Sequence, residues 1–437
     1  MGCARSIWNA KVEEERYYRT YARKYCTIGT YAPIDQTTSQ FKSKELSPWL
    51  SECPSQILRN SAVNWYQTYQ KFMSGKCGRP KRKPKTDKGS IYLTREVFRF
   101  DHCDDGNVRL FIGTKTNNIG YLSFKAHGKF EIPNSLYVRK ERGHYYVSFC
   151  YEQGQPDRKL STNEEHLAFL QGATREYLEE HTMGVDRGVA IPVCAGEQTY
   201  DFTHSQKKNM SKADRYIKRL QRKLARQQKG SNRRAKTKHR IAVHHAKKAN
   251  IRNDFAHKTS RLLVDSSAKI IVFEALRTAR MTRRPKAKQD EQGRFISNKA
   301  KQKAGLNKSI LNVGWHVIET YTYYKAYSSS KAVFKIPAPT TSQECAKCGH
   351  THPDNRKTQA LFVCGNCGNT DNADHNASLV IKKRAINLIL DTGTVLSGDG
   401  VLRTQSDSGR GGNRKTGRAK SSTSSAQRSV KKEKLAA

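Results

Sequence analysis

The chain has 437 residues, with 81 Lys and Arg against 38 Asp and Glu, a formal net charge of +43. Such an excess goes beyond what solubility asks for and points to a polyanionic partner, nucleic acid foremost. No run approaches eighteen apolar residues, and the opening MGCARSIWNAKVEEERYYRTY has no uninterrupted apolar stretch, which argues against membrane spanning and secretion.

In chain order, the first eighty or so residues read as helical. Leu58, Ala62, Trp65, Tyr69 and Phe72 fall on one face, more simply a helix-bundle core than a base-stacking surface. KCGRPKRKPKTDKG, from Lys76 to Gly89, is a charged link or phosphate-contacting loop. From about Ser90 to Tyr151 short alternating runs broken by DDGN, NNIG and RG turns predict an antiparallel sheet or small barrel. Residues 161–178 read as a helical connector, and HTMGVDRGVAIPVCAGEQTYDF as a hairpin. From Ser205 to Val264, Ile217, Leu220 and Leu224 keep helical spacing with basic residues on the other faces, and KGSNRRAK breaks the stretch into two helices. AKIIVFEAL is a buried strand ending at Glu274. TRRPKAKQDEQGRFISNKAKQK is a polar loop, LNVGWHVIETYTYYKAYS a helix, KAVFKI a strand and SLVIKKRAINLIL a last amphipathic helix. Beyond Asp391 the composition predicts a disordered basic tail.

Of the 11 cysteines, four are clustered as Cys345-x2-Cys348 and Cys364-x2-Cys367, and the rest are dispersed. That pattern indicates a reducing compartment and one metal site rather than a disulfide framework. Four thiolates at this spacing close a tetrahedral structural zinc site, with iron or a redox disulfide as the alternatives. Glycines flanking each pair let the turn wrap around the ion, and His350, His352 and His375 are bystanders. Three acids stand out. Asp186 ends TMGVD, Glu274 ends KIIVFE, and Asp374 lies in NADHNAS just before a helix. Alone, each is more simply a cap or surface residue. Together they can converge on the edge of a mixed sheet and bind two hard divalent cations for phosphodiester hydrolysis.

The ordered set GVDRG, IIVFEAL, GWHVIETYTYYKA, TTSQECAKCGH, FVCGNCG and NADHNAS resembles the C-terminal half of the transposon-encoded TnpB proteins, RNA-guided nucleases related to the compact type V CRISPR effectors. SIWNAKVEE and CGRPKRKPK are similar, more loosely, to the family's early helix and basic link. The resemblance implies an α+β multidomain chain: a helical recognition lobe with its basic link (1–87), a β-barrel wedge domain (88–160), the connector (161–178), and a RuvC-like nuclease of RNase H fold (179–344 and 368–390). The nuclease is interrupted by a zinc ribbon (345–367) and followed by the tail (391–437). Asp186, Glu274 and Asp374 would be the catalytic acids holding two Mg2+, and the four cysteines would hold one structural Zn2+. The partners implied are a guide RNA, double-stranded target DNA and its displaced single strand, in a prokaryotic cytoplasm near the nucleoid. The family usually begins with a β-strand before the SIWN-like helix, whereas this sequence starts almost at that helix. Asp371 and Asp391 flank the last motif without aligning with the family acid.

The function expected is RNA-guided DNA cleavage. A guide-loaded regulator that no longer cuts would be favoured by loss of an acid, and all three are present. A DNA transposase shares the acid chemistry, but no separate helix-turn-helix is evident.

Overall fold

The computed structural model describes residues 1–22, 37–85, 88–102, 107–126, 130–141, 143–150 and 160–404. They form two compact units, one of residues 1–158 with 217–244 and the other of 159–216 with 245–437.

In the first unit, α1 (Gly2–Tyr17) packs along α2 (Ser55–Met73). Ala4 and Ile7 meet Ile57, Leu58 and Ala62 in a core that also takes in Leu93, Leu110 and Leu136 of the strands. The apolar stripe of α2 is therefore core, with Trp65 buried and stacked on Tyr69. The basic link is partly neutralised along α1. Trp8 Nε1 donates to the Lys81 carbonyl (2.9 Å), Asn9 pairs with the Lys83 backbone, and Arg79 bonds Glu15 (2.6 Å).

The strands are β1 (Gly89–Thr94), β2 (Phe98–His102), β3 (Asn107–Gly113), β4 (Asn118–Lys125), β5 (Ser135–Glu141) and β6 (His144–Phe149). They make two antiparallel three-stranded sheets, ordered β1-β5-β6 and β2-β3-β4. Among the described residues these do not close into a barrel, because the single 3-10 turn Arg95–Val97 between β1 and β2 sends the chain from one sheet into the other.

The predicted connector is two short helices, α3 (Asn163–Leu170), opened by a Thr162/Glu165 capping box, and α4 (Arg175–His181). The long basic stretch is α5 (His204–Ala225) and α6 (Asn232–Asp265), broken where the sequence predicts. Ile217 is buried while Lys218, Arg219, Arg222, Lys223 and Arg226 are exposed.

The second unit is organised by a five-stranded sheet of β7 (Thr182–Asp186), β8 (Val193–Ala195), β9 (Gln198–Tyr200), β10 (Ile270–Glu274) and β11 (Ala332–Ile336), in the order β11-β10-β7-β8-β9. β11, β10 and β7 run parallel, and β7-β8-β9 is an antiparallel meander. Helices cover both faces, so β10 is apolar throughout until its last residue. On one face Val185, Ile271, Phe273 and Val333 pack against Phe255 and Leu263 of α6 and Ile318 of α8 (Trp315–Ser328). On the other, Ile270, Val272, Phe334 and Ile336 pack against α3, α4 and α9 (Ala373–Leu390).

Two expectations need correcting here. The stretch read as one helix is α7 (Ala300–Val313) and α8, separated by Gly314 at φ 79°, a left-handed conformation that ends the first helix. The tail is ordered as far as Thr404, with β14 (Thr394–Leu396) and β15 (Leu402–Thr404) forming a hairpin. Val401 bridges to Lys335 at the free edge of β11, and Leu402 is buried in the α9-side core. A backbone edge that needs partners outweighs the low local hydrophobicity. The rest of the predicted tail, 405–437, lies outside the described residues.

Candidate active site and four-cysteine centre

β7 and β10 pair in parallel with Phe273 opposite Val185, so Asp186 and Glu274 stand one step further at adjacent strand ends. Side chains alternate along a strand. Asp186 and Glu274 therefore share the face covered by α9, while Val185 and Arg187 belong to the face covered by α8. Asp374 is the second residue of α9. The Asn372 side chain caps that helix, accepting from the Asp374 and His375 backbone N–H groups at 2.9 and 3.2 Å. α9 crosses β7 in very close contact at Gly184, where a Cβ would lie 2.1 Å from the Ser378 carbonyl oxygen. A glycine two residues before the first acid thus brings the helix bearing the third acid down onto its strand.

The structure brings the three acids together electrostatically. Burial, then the Glu274 and Asp374 carboxylates, push Asp186 up to about 7. Burial also raises Glu274, opposed by a hydrogen bond from the Thr341 hydroxyl and by the charges of Arg187 and Arg384. Arg356 bonds Asp374 at 3.1 Å. The carboxylates do not draw so close that one oxygen from each lies within 4.8 Å of the others; among the described residues only the four thiols do that. Such concentrated negative charge in a desolvated corner fits a site for divalent cations.

Four residues at this site carried no role in the sequence reading. Arg187 is buried, bonds Glu319 at 2.7 Å, donates to the Glu274 carbonyl and lies over the Phe273 ring. Its signal was adjacency, as the residue after the first acid. Asn376 is fully buried, accepting from Ala346 N (3.0 Å) and donating to the Glu344 carbonyl (2.8 Å). It sits inside the quoted NADHNAS. Thr341 and Arg356 have no local signal, because their partners are distant in sequence.

The four cysteines assemble as predicted. Cys345 and Cys367 sulfurs are 3.7 Å apart, and those of Cys348 and Cys364 are 3.5 Å apart. Zinc–sulfur bonds of about 2.3 Å in a tetrahedron place sulfurs about 3.8 Å apart, so the set fits that ion and is too open for a disulfide. The two knuckles repeat one geometry. Cys345 N and Cys364 N bond the His350 and Asn369 carbonyls, while Gly349 and Gly368, at φ 77° and 67°, donate back to the Cys345 and Cys364 carbonyls. Hydrogen bonding from the His350 backbone foremost brings the Cys348 thiol down to about 6, while Cys367, lowered by the Asn369 backbone but raised more by its hydrogen bonds with the other three sulfurs and by burial, is pushed up to about 11, so the crowded thiols shift in opposite directions. Asn355, 1% exposed, ties the knuckles together by donating to the Gln343 and His350 carbonyls and accepting from Gly365 N. The histidines lie outside the sulfur set, and His375 bonds Asp371 instead.

The centre and the acids are mechanically one object. The hairpin of β12 (Leu361–Val363) and β13 (Thr370–Asn372) runs directly into α9. Asn376 ties the first turn of α9 to the first knuckle, and Arg384 bonds Glu344 (2.8 Å) and the Pro339 carbonyl (2.7 Å). The backbone of the four-cysteine centre therefore fixes the helix start on which Asp374 is placed.

Known proteins match this arrangement. A probable-transposase family, OrfB_IS605, matches residues 148–284, spanning Asp186 and Glu274, and the Cas12f1-like TNB domain family matches 315–381, spanning the cysteines and Asp374. A putative RNA-guided DNA endonuclease, InsQ, of Escherichia coli (strain K12) is 28% identical over 379 residues, covering 86% of this chain and 85% of InsQ. The chain is similar to the TnpB proteins. The CRISPR-associated endodeoxyribonuclease Cas12f1 of Sulfoacidibacillus thermotolerans is 27% identical over 263 residues, 57% of this chain and 53% of Cas12f1. A solved Cas12f1-sgRNA-target DNA complex aligns over 87% of this chain and 80% of its own at 13% identity and a TM-score of 0.48.

Proposed function

We propose that this protein is a transposon-encoded, RNA-guided DNA endonuclease, with residues 179–344 and 368–390 as its RuvC-like nuclease of RNase H fold. The observation that carries the reading is the placement of Asp186 and Glu274 at adjacent parallel strand ends under the helix that bears Asp374, with Asp186 driven to about 7 by burial first and then by the two neighbouring carboxylates. The β11-β10-β7-β8-β9 sheet, three parallel strands followed by an antiparallel meander, supports the same fold. Residues 1–87 and 88–160 are proposed as the recognition lobe and wedge domain, 161–178 as the connector and 345–367 as the zinc ribbon.

Asp186, Glu274 and Asp374 would hold two Mg2+, and the four cysteines one Zn2+ with no open position and hence no part in the chemistry. Divalent cations at the acids supply activation of water and stabilisation of the leaving oxygen in phosphodiester hydrolysis. The chain's own groups aim the carboxylates: Thr341 holds Glu274, Arg356 holds Asp374, and Arg187 fixes the backbone at the end of β10. A net charge of +43 and the exposed basic faces of α5 suit a guide RNA and target DNA. No helix among the described residues is long and apolar enough to cross a membrane.

The test is to purify the protein with co-expressed RNA, sequence that RNA, and add Mg2+ and a plasmid library carrying the matching target. Guide-dependent cleavage that disappears in Asp186→Ala while RNA is retained supports the nuclease. RNA retention with no cleavage by the wild type leaves the non-cutting regulator, and persistent cleavage in the variant shows that the site is elsewhere.

A further inference from the structure

The acid end of the sheet is braced from its far face. Asp186 and Glu274 belong to the face under α9. Lys335, opposite Phe273 in the β10–β11 register, shares with it the face under α8. There Glu319 of α8 takes two cations at once, Arg187 at 2.7 Å and Lys335 at 3.1 Å. Burial by itself would raise Glu319, but Arg187 and Lys335 outweigh it and hold the carboxyl below its ordinary range, so it stays ionised. From Arg187 the contact passes to the strand that carries the second acid, because its guanidinium also donates to the Glu274 carbonyl. The next amide, Ala275 N, donates to the Ile336 carbonyl at 2.8 Å, so the residue after Lys335 holds the peptide after Glu274. At its outer end the brace is anchored by the β14–β15 hairpin. Lys335 N donates to the Gly400 carbonyl at 2.9 Å, and the Lys335 ammonium acts on Asp399.

Carboxylates that hold a divalent cation must be kept within about 0.5 Å of their working geometry. A strand end that carries such a group and stops at a loop has no ladder beyond it to supply that rigidity. We propose that Glu319 and Lys335 are positioning residues for the acid site, acting through Arg187 on the backbone of Glu274. The role deepens the nuclease reading and rests on it for its meaning. Lys335 has two effects on Mg2+ binding, and their signs are opposite. As a cation at this end of the sheet it disfavours Mg2+ through space. As a brace it favours Mg2+ by fixing Glu274.

That opposition gives the test. RNA-loaded complexes of the wild type, Lys335→Met, Lys335→Arg, Glu319→Gln and the Glu319→Gln/Lys335→Met double variant are compared in two ways. One is the cleavage rate across a Mg2+ titration at fixed ionic strength; the other is hydrogen–deuterium exchange of the peptide spanning 270–276. Lys335→Met should raise the Mg2+ half-saturation about 10-fold, the lower end of the ~10–100-fold cost of removing groups that orient metal ligands. The maximal rate at saturating Mg2+ should stay within about twofold, the pattern of weakened binding rather than altered chemistry. Exchange at Ala275 and Leu276 should quicken. Lys335→Arg, which keeps the charge and donors for Glu319, should restore both readouts. Glu319→Gln should shift the half-saturation in the same direction, and the double variant should add little, since both changes cut one chain of contacts. An unchanged or lower half-saturation in Lys335→Met overturns the proposal, because only the through-space charge would then be acting. So do unchanged exchange, a Lys335→Arg variant that behaves like Lys335→Met, and full additivity in the double variant. A drop in melting temperature and maximal rate with no shift in half-saturation would mark Lys335 as merely structural. Failure of the wild type to cleave at any Mg2+ concentration would sink the nuclease reading, and the exchange measurement would still decide whether the brace holds the end of β10.

Discussion

Gly184 on β7 and Ser378 on α9 are in such close approach that a single methyl group on Gly184 would stand 2.1 Å from the Ser378 carbonyl oxygen and 2.7 Å from the Lys382 amide nitrogen. Both contacts are backbone, so no side-chain rotation relieves them. Gly184→Ala is expected to lift α9 off the sheet at a cost of about 1–3 kcal/mol or more. Because Asp374 rides on that helix, cleavage should fall much further than melting temperature does. Circular dichroism melts beside cleavage rates check this, and equal activity in the variant would mean that the helix is not what positions the third acid.

Arg187 ties both strand ends to α8 through Glu319, and its side chain is 2% exposed. Arg187→Met strands Glu319 with Lys335 alone and should destabilise the protein by about 3–5 kcal/mol, the cost of breaking a buried pair from one side. Glu319→Gln keeps a hydrogen-bond acceptor for Arg187 and should cost less. Urea unfolding of both variants gives the order, and a milder Arg187→Met would contradict the pairing.

The pH dependence follows from Asp186. Its folded value, about 7, lies above the ordinary 3.8. Between those values the unfolded chain has released a proton that the folded, metal-free chain retains. Stability therefore falls as pH rises through this window, and the loss is complete above about 7. Asp186→Asn should raise the melting temperature of the metal-free protein at pH 8, with the gain vanishing towards pH 4. Cleavage by the wild type at limiting Mg2+ should climb with pH up to about 7, where proton and cation no longer compete. A melting gain independent of pH would exclude this cause.

Cys348→Ser removes one of the four proposed ligands, and prolonged chelation the ion itself, from the centre that anchors the start of α9. Zinc content should fall from one per chain towards none, and the melting temperature should drop, because structural zinc contributes folding energy. Inductively coupled plasma analysis with a parallel melt decides it. Full zinc retention in the variant would show that the site does not need all four sulfurs.

The sequence made the acids and cysteines legible for a local reason. A run such as IIVFE, apolar on both faces and then abruptly charged, can only be a covered strand ending at something polar, and CxxC spacing is itself a coordination geometry. What it hid depended on partners far along the chain. Thr341 meets Glu274 and Arg356 meets Asp374 across separations that no window spans. Gly314 looked tolerable inside a helical pattern, yet Trp315, whose indole donates to the Gly188 carbonyl (3.0 Å), sets the second helix against the loop after Asp186. The missing barrel closure has the same origin, because strand alternation reveals which side is buried but not which neighbour a strand chooses.

The hairpin at 394–404 completes the edge of the five-stranded sheet. It occupies part of the outer rim of β11, with Lys335 N bonded to the Gly400 carbonyl at 2.9 Å and Leu402 set among the core residues beneath. Trimming the chain back to Asp391, where α9 stops and the composition turns polar, would uncover a parallel strand rim and a greasy socket together, the combination that recruits other chains. A compact derivative for delivery or engineering should keep the hairpin through Thr404.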